Sequence, residues 1–139
     1  MDTTVTTVLL VDDHTDSLEM YLYAFGLLSI GFQPMTAASA EEAYARALQL
    51  RPDVVVTDLT LLGASGIDLA RRLRDAPETS ETAIIVLTGH GGGAGREEAR
   101  EPGCDRVLLK PIQVEELSLV IREVLAARRP SLSAAGAGG

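Results

Sequence analysis

Val54-Val55-Val56-Thr57-Asp58 is a short, continuous apolar run, rich in β-branched residues, that ends in a carboxylate. Such a run reads as a strand buried on both faces, since a half-exposed strand would alternate apolar with polar residues. Three more runs share its form. Val8-Leu9-Leu10-Val11 leads into Asp12-Asp13, Ile84-Ile85-Val86-Leu87 into Thr88-Gly89, and Val107-Leu108-Leu109 into Lys110-Pro111. Parallel strands would bring these ends together, and open parallel sheets place ligands just outside the carboxyl ends of their strands. Asp12, Asp13, Asp58, Thr88 and Lys110 would then share one shallow cleft suited to a divalent cation and a phosphoryl group.

Segments of helical period separate the runs. Leu18, Tyr21, Leu22, Phe25 and Leu28 recur at helical spacing, with Asp16 and Glu19 placed as N-cap and reciprocal partner, and the helix is expected to end near Gly31. A strand from about Gln33 to Ala37 precedes a helix capped by Ser39 with Glu42, which carries Ala43, Ala47 and Leu50 inward and stops before Pro52. The turn Leu62-Gly63-Ala64-Ser65 leads into a helix with Ile67, Leu69, Ala70 and Leu73, ending before Pro77. A glycine-rich loop and a short charged helix, Arg96 to Glu101, follow the Ile84 run, with Pro102 limiting that helix. Val114, Leu117, Ile121, Val124 and Leu125 mark a last helix. The order is five βα units: an α/β, doubly wound (βα)5 sandwich whose five-stranded parallel sheet has helices on both faces.

Composition narrows the function. A chain of 139 residues, 46% of them hydrophobic, is sized for one domain, expected over residues 5–127. Residues 1–4 and 128–139 carry too little bulk or period to pack and are expected to be a disordered N-terminus and a disordered tail or truncated linker. A formal net charge of -8, with arginines scattered rather than striped, argues against direct nucleic-acid binding. The single cysteine, Cys104, has no internal disulfide partner and reads as a small buried residue. No apolar run approaches a membrane span or a signal-sequence core, so the expected location is the cytoplasm.

Lys110 is the only lysine among twelve basic residues. A compact ammonium meets a single phosphoryl oxygen where a planar guanidinium would not. His14 and His90 lack triad partners at recognisable spacing and read as solvated loop residues. Gly89-His90-Gly91-Gly92-Gly93-Ala94 matches the dinucleotide pattern G-x-G-x-x-A, but that pattern belongs at the first βα turn, and the next strand ends in Lys110 rather than an acid.

Val11-Asp12-Asp13, then Asp58-Leu59-Thr60-Leu61 with Gly63 and Gly66, then Leu87-Thr88-Gly89, then Lys110-Pro111, resembles the receiver domain of two-component response regulators over roughly Val5 to Ala127. The resemblance implies a flavodoxin-like domain that accepts a phosphoryl group from a phosphohistidine on a sensor histidine kinase or a histidine phosphotransfer protein. It implies Asp58 as the nucleophile. It implies Mg2+ held by Asp13, Asp58 and the Thr60 carbonyl, with Asp12 acting through water. The Thr88 hydroxyl and the backbone amides of Gly89 and Thr60 would receive phosphoryl oxygens beside Lys110. Thr88 and position 107 would form the switch, with Thr60 and His90 modulating dephosphorylation. Receivers usually carry an aromatic residue three positions before the lysine; here it is Val107, with one stiff torsion and no ring to move.

The implied output is protein contact through the last two helices and strand, with a phosphorylation-dependent homodimer as a further possibility, and the chain catalyses only its own transfer and autodephosphorylation. Two alternatives stand beside this. One is a degenerate receiver that binds partners without phosphorylation. The other is a haloacid-dehalogenase-type phosphatase, which needs a second acid two residues after the nucleophile, where this chain has Thr60, and a cap domain.

Overall fold

The computed structural model describes residues 5–28, 31–89 and 103–138. The strands are β1 Thr6–Val11, β2 Phe32–Ala37, β3 Val54–Asp58, β4 Thr60–Leu61, β5 Ala64–Ser65, β6 Ala83–Thr88 and β7 Arg106–Leu109, and the helices are α1 Thr15–Leu28, α2 Ala40–Leu50, α3 Gly66–Asp75 and α4 Val114–Gly138. Five strands form one parallel sheet in the order β2-β1-β3-β6-β7, while β4 and β5 make a small antiparallel hairpin. The order reverses between β1 and β3, so the chain leaves this pair in opposite directions and opens a crevice at their carboxyl ends.

The unbroken apolar runs are explained by the layers. Val8, Leu10, Val54, Val56, Ile85 and Leu87 face a layer built with Phe25 of α1 and Leu117 and Ile121 of α4. Their neighbours Leu9, Val11, Val55, Ile84 and Val86 face a second layer built with α2 and α3. A strand's side chains alternate between faces, so a sheet covered on both sides needs apolar residues at every position. Ala40, Ala43 and Ala47 keep α2 slim where it packs, and Ile67, Leu69, Ala70 and Leu73 of α3 complete that layer.

The helix ends follow local chemistry. Ser39 Oγ accepts from Glu42 N at 3.1 Å, the cap that the sequence predicts, and Glu42 Oε1 accepts from Ala38 N, one residue before the cap, at 2.9 Å. Arg51, at φ 50°, closes α2 by donating its N–H to the Ala47 carbonyl. Ser65 caps α3 through Ile67 N at 3.0 Å, and Gly63, at φ 72°, turns the hairpin between Leu61 and Ala64.

Three details depart from what the sequence predicts. Helix α1 begins at Thr15, so Asp16 lies within its first turn instead of capping it; the His14 carbonyl accepts from Ser17 N and Leu18 N. Leu22 is 41% exposed because it sits one residue past Tyr21 and off the inward stripe, and Leu50 is 46% exposed at the last residue of α2. Helix α4 runs from Val114 to Gly138. The glycine-rich loop, His90 and the predicted helix Arg96 to Glu101 lie outside the described residues.

Candidate functional site

Asp58 is the last residue of β3, beside the carboxyl ends of β1 and β6 in the register Val11↔Thr57 and Asp58↔Leu87. Beyond it the backbone is pinned on both sides. Leu59 N donates to the Leu87 carbonyl and Gly66 N donates to the Leu59 carbonyl, each at 2.7 Å. Gly66 packs directly on the Asp58 backbone, and a Cβ there would collide with the Asp58 carbonyl oxygen. That contact gives Gly66 a steric reason, and it holds the β4–β5 hairpin, with Thr60, next to Asp58.

Asp12 and Asp13 follow β1 directly. Asp12 is 4% exposed and Asp58 7%. Lys110 follows β7, its N–H donating to the Thr88 carbonyl at 2.8 Å, and the Lys110–Pro111 peptide is cis. From there its ammonium reaches back over the sheet edge. Lys110 Nζ lies 2.7 Å from Asp58 Oδ1 and 3.9 Å from Asp12 Oδ2. Burial pushes the Asp58 carboxyl up; the Lys110 hydrogen bond pulls against it and the Asp12 charge adds to it, leaving Asp58 above the usual carboxylate range. Burial alone would draw Lys110 down, but the hydrogen bond and charge of Asp58, with Asp12 and Tyr21, outweigh it and raise Lys110 above its ordinary value.

An open cleft of about 340 Å3 lies over this edge, and Asp13, Asp58, Thr60, Gly89 and Lys110 are among its lining residues. Asp12 and Thr88 are buried, Thr88 at 2% exposure, and Val107 is half-buried against the α2–α3 layer beside Val86. The cleft also includes His14, for which sequence spacing alone indicates a solvated loop residue. Its side chain is 75% exposed, yet Nδ1 lies 3.2 Å from both Asp12 Oδ1 and Asp13 Oδ1. Tyr21, read from periodicity as a core residue only, is raised by burial and lies in the field of Lys110, Asp58 and Asp12. Adjacency to Asp13 was the available signal for His14; for Tyr21 there was none. Burial pushes the Cys104 thiol up to about 11, which leaves it an inert half-buried residue.

The donor set fits a hard divalent cation. Asp12, Asp13, His14 and Asp58 each offer a ligand atom within 4.8 Å of the others. Asp13 Oδ1 is buried and accepts no hydrogen bond, although His14 Nδ1 lies 3.2 Å away. An ionised oxygen left so is costly without a cation to meet it. With the Lys110 ammonium beside Asp58 and Asp12, the cluster offers both signs of charge to a cation and an anionic group.

The profile of the response regulator receiver domain matches residues 8–122. The chain is 34% identical over 111 residues to the phosphate regulon transcriptional regulatory protein PhoB of Rhizobium meliloti, covering 80% of this chain and 49% of that protein. It is 32% identical over 119 residues to protein PilH of Pseudomonas aeruginosa, covering 86% and 97%. Among solved structures, a response regulator receiver domain protein from Clostridium thermocellum superimposes with a TM-score of 0.81 at 27% identity, covering 90% of this chain and 98% of that one. The chain thus spans about half the length of the PhoB relatives and nearly all of PilH. Among the described residues, no helix is long and apolar enough to cross a membrane.

Proposed function

The chain belongs to the response regulator receiver family, a phosphoacceptor signalling module rather than an enzyme of the usual kind, and from that premise we propose that Asp58 accepts a phosphoryl group from a phosphohistidine of a sensor histidine kinase or phosphotransfer protein. The observation that carries this is the placing of Asp58 at the cleft edge, 2.7 Å from Lys110 and within the acidic cluster. A carboxylate oxygen of Asp58 attacks phosphorus as the phosphorus–nitrogen bond to the donor imidazole breaks; the electron pair stays on the imidazole, which takes up a proton. The product is an acyl phosphate.

Asp13, Asp58 and the Thr60 carbonyl would hold Mg2+, with Asp12 behind them, and the bound cation would neutralise charge on the phosphoryl oxygens. Lys110 exchanges its Asp58 contact for a phosphoryl oxygen. Thr88 and the Gly89 amide receive the remaining oxygens from the end of β6. Phosphorylation adds up to about two negative charges at Asp58 and shifts the surface around β7 and α4 through Thr88 and Lys110. With Val107 in place of a ring, that shift runs through the backbone of β6 and β7, which Lys110 N and the Thr88 carbonyl already join at 2.8 Å.

Intact mass after incubation with a small acyl phosphate donor and Mg2+ tests this. A labile single-phosphate adduct that requires Mg2+ and disappears in Asp58→Asn is expected. No adduct in a folded wild-type protein would overturn the phosphoacceptor reading in favour of an interaction module.

A further inference from the structure

We propose that His14 adds a nitrogen ligand to the cation site and turns its selectivity from Mg2+ toward later first-row divalent cations such as Co2+. The proposal rests on the reading of the cleft as a cation site, and goes beyond it by naming which cation the residues of this chain favour. His14 Nδ1 lies 3.2 Å from Asp12 Oδ1 and 3.2 Å from Asp13 Oδ1, and the four candidate ligand atoms lie within 4.8 Å of one another. Metal–ligand bonds of about 2.1 Å put adjacent octahedral ligands about 3.0 Å apart and opposite ones about 4.2 Å apart, so a small contraction converts the cluster into a coordination shell.

A backbone bond holds the His14 main chain against Asp12, one of the two aspartates that its ring approaches. His14 N donates to Asp12 Oδ1 at 2.9 Å, which folds the chain after β1 so that the ring returns over its own aspartates. Asp13 Oδ1 remains buried and without a hydrogen bond in this arrangement, an acceptor that a cation between it and the imidazole would satisfy. Binding a cation through Nδ1 requires the tautomer with its proton on Nε2 of the exposed ring, so a proton on Nδ1 passes through water to Nε2 as the lone pair is released. Magnesium prefers an all-oxygen shell and gains little from an imidazole, whereas the later divalent cations gain much.

Calorimetric titration with Mg2+ and with Co2+ of the wild-type chain, His14→Ala, His14→Gln and Asp13→Asn tests the inference. The expected result is a ratio of Co2+ to Mg2+ affinity that falls about ten-fold or more in both His14 variants. The visible absorption bands of bound Co2+ shift in the same variants. His14→Gln retains a hydrogen-bonding side chain, so a loss shared by both variants reports the ligand rather than the loop. An unchanged ratio with unchanged Co2+ bands overturns the proposal, as does Co2+ binding that survives Asp13→Asn. A ratio that falls in a protein that forms no Asp58 adduct would leave this inference standing while the phosphoacceptor reading fails; adduct formation with an unchanged ratio would do the reverse.

Discussion

Lys110 Nζ donates to Asp58 Oδ1 at 2.7 Å, so the residue after β7 is tied to the last residue of β3 across the end of β6. The bond places the site's ammonium on the atom that the phosphoryl group would occupy, and it offsets part of the cost of burying Asp58. Removing the ammonium as Lys110→Met is therefore expected to move the Asp58 titration to higher pH than in the wild type, followed by carboxyl 13C NMR. A titration at the wild-type position would show that the bond does not hold in solution.

Asp58 also sets a pH dependence of stability. Its folded pKa lies above the unfolded value, so the native state binds the extra proton; this contribution is fully present below the unfolded pKa and is lost as pH rises through the folded pKa. At neutral pH the ionised carboxylate works against the fold. Asp58→Asn, measured in chelator, should melt above the wild type at pH 7.5, with the difference shrinking toward pH 4. A gain that grows on acidification contradicts this reading.

Cation binding should stabilise the native state through the same acidic cluster. A cation at about 100 times its Kd adds about 2.7 kcal/mol when the unfolded chain does not bind it. Thermal unfolding with and without Mg2+ is expected to show a rise of that order in the wild type and none in Asp13→Asn. Equal rises in both proteins would place the cation away from the cleft.

Gly66→Ala tests the close approach of α3 to Asp58. The added methyl meets the Asp58 carbonyl oxygen, a backbone atom that has no rotamer in which to retreat. Urea unfolding should register a loss of about 1–3 kcal/mol, and formation of the Asp58 adduct should slow as the residue is displaced. Full retention of both stability and adduct formation would mean that the β4–β5 hairpin yields freely.

Far from the cleft, Arg74 of α3 joins three segments. Its guanidinium donates to the carbonyls of Thr82 at 2.6 Å, Ser80 at 3.1 Å and Gly103 at 3.0 Å, and meets Asp105 Oδ2 at 3.1 Å, which also accepts from Ile84 N at 2.8 Å. Loss of a forked donor from a part-buried network leaves several acceptors unpaired. Arg74→Ala is expected to cost about 1–3 kcal/mol in urea unfolding, and Arg74→Lys to recover less than half. Complete rescue by lysine would show that charge alone matters there.

The sequence by itself determined the layers and named the candidates for the site. Short apolar runs without alternation, rich in β-branched residues, read as strands covered on both faces, and the amphipathic segments between them supply the covering helices, so the αβ alternation was legible. Asp12, Asp13, Asp58, Thr88 and Lys110 were legible because each stands at the end of such a run. Only the tertiary structure decided how those ends meet. The reversal between β1 and β3 brings Asp58 to the acidic pair, and the reach of Lys110 across β6 is a through-space contact that no local pattern encodes. The same holds for Gly66, whose need for a bare Cα arises from Asp58 eight positions earlier, and for His14, whose ring returns to Asp12 and Asp13 because a backbone hydrogen bond folds the loop. Periodicity reports which face a residue occupies; distance across the sheet edge depends on strand order, and strand order is a property of the assembled fold.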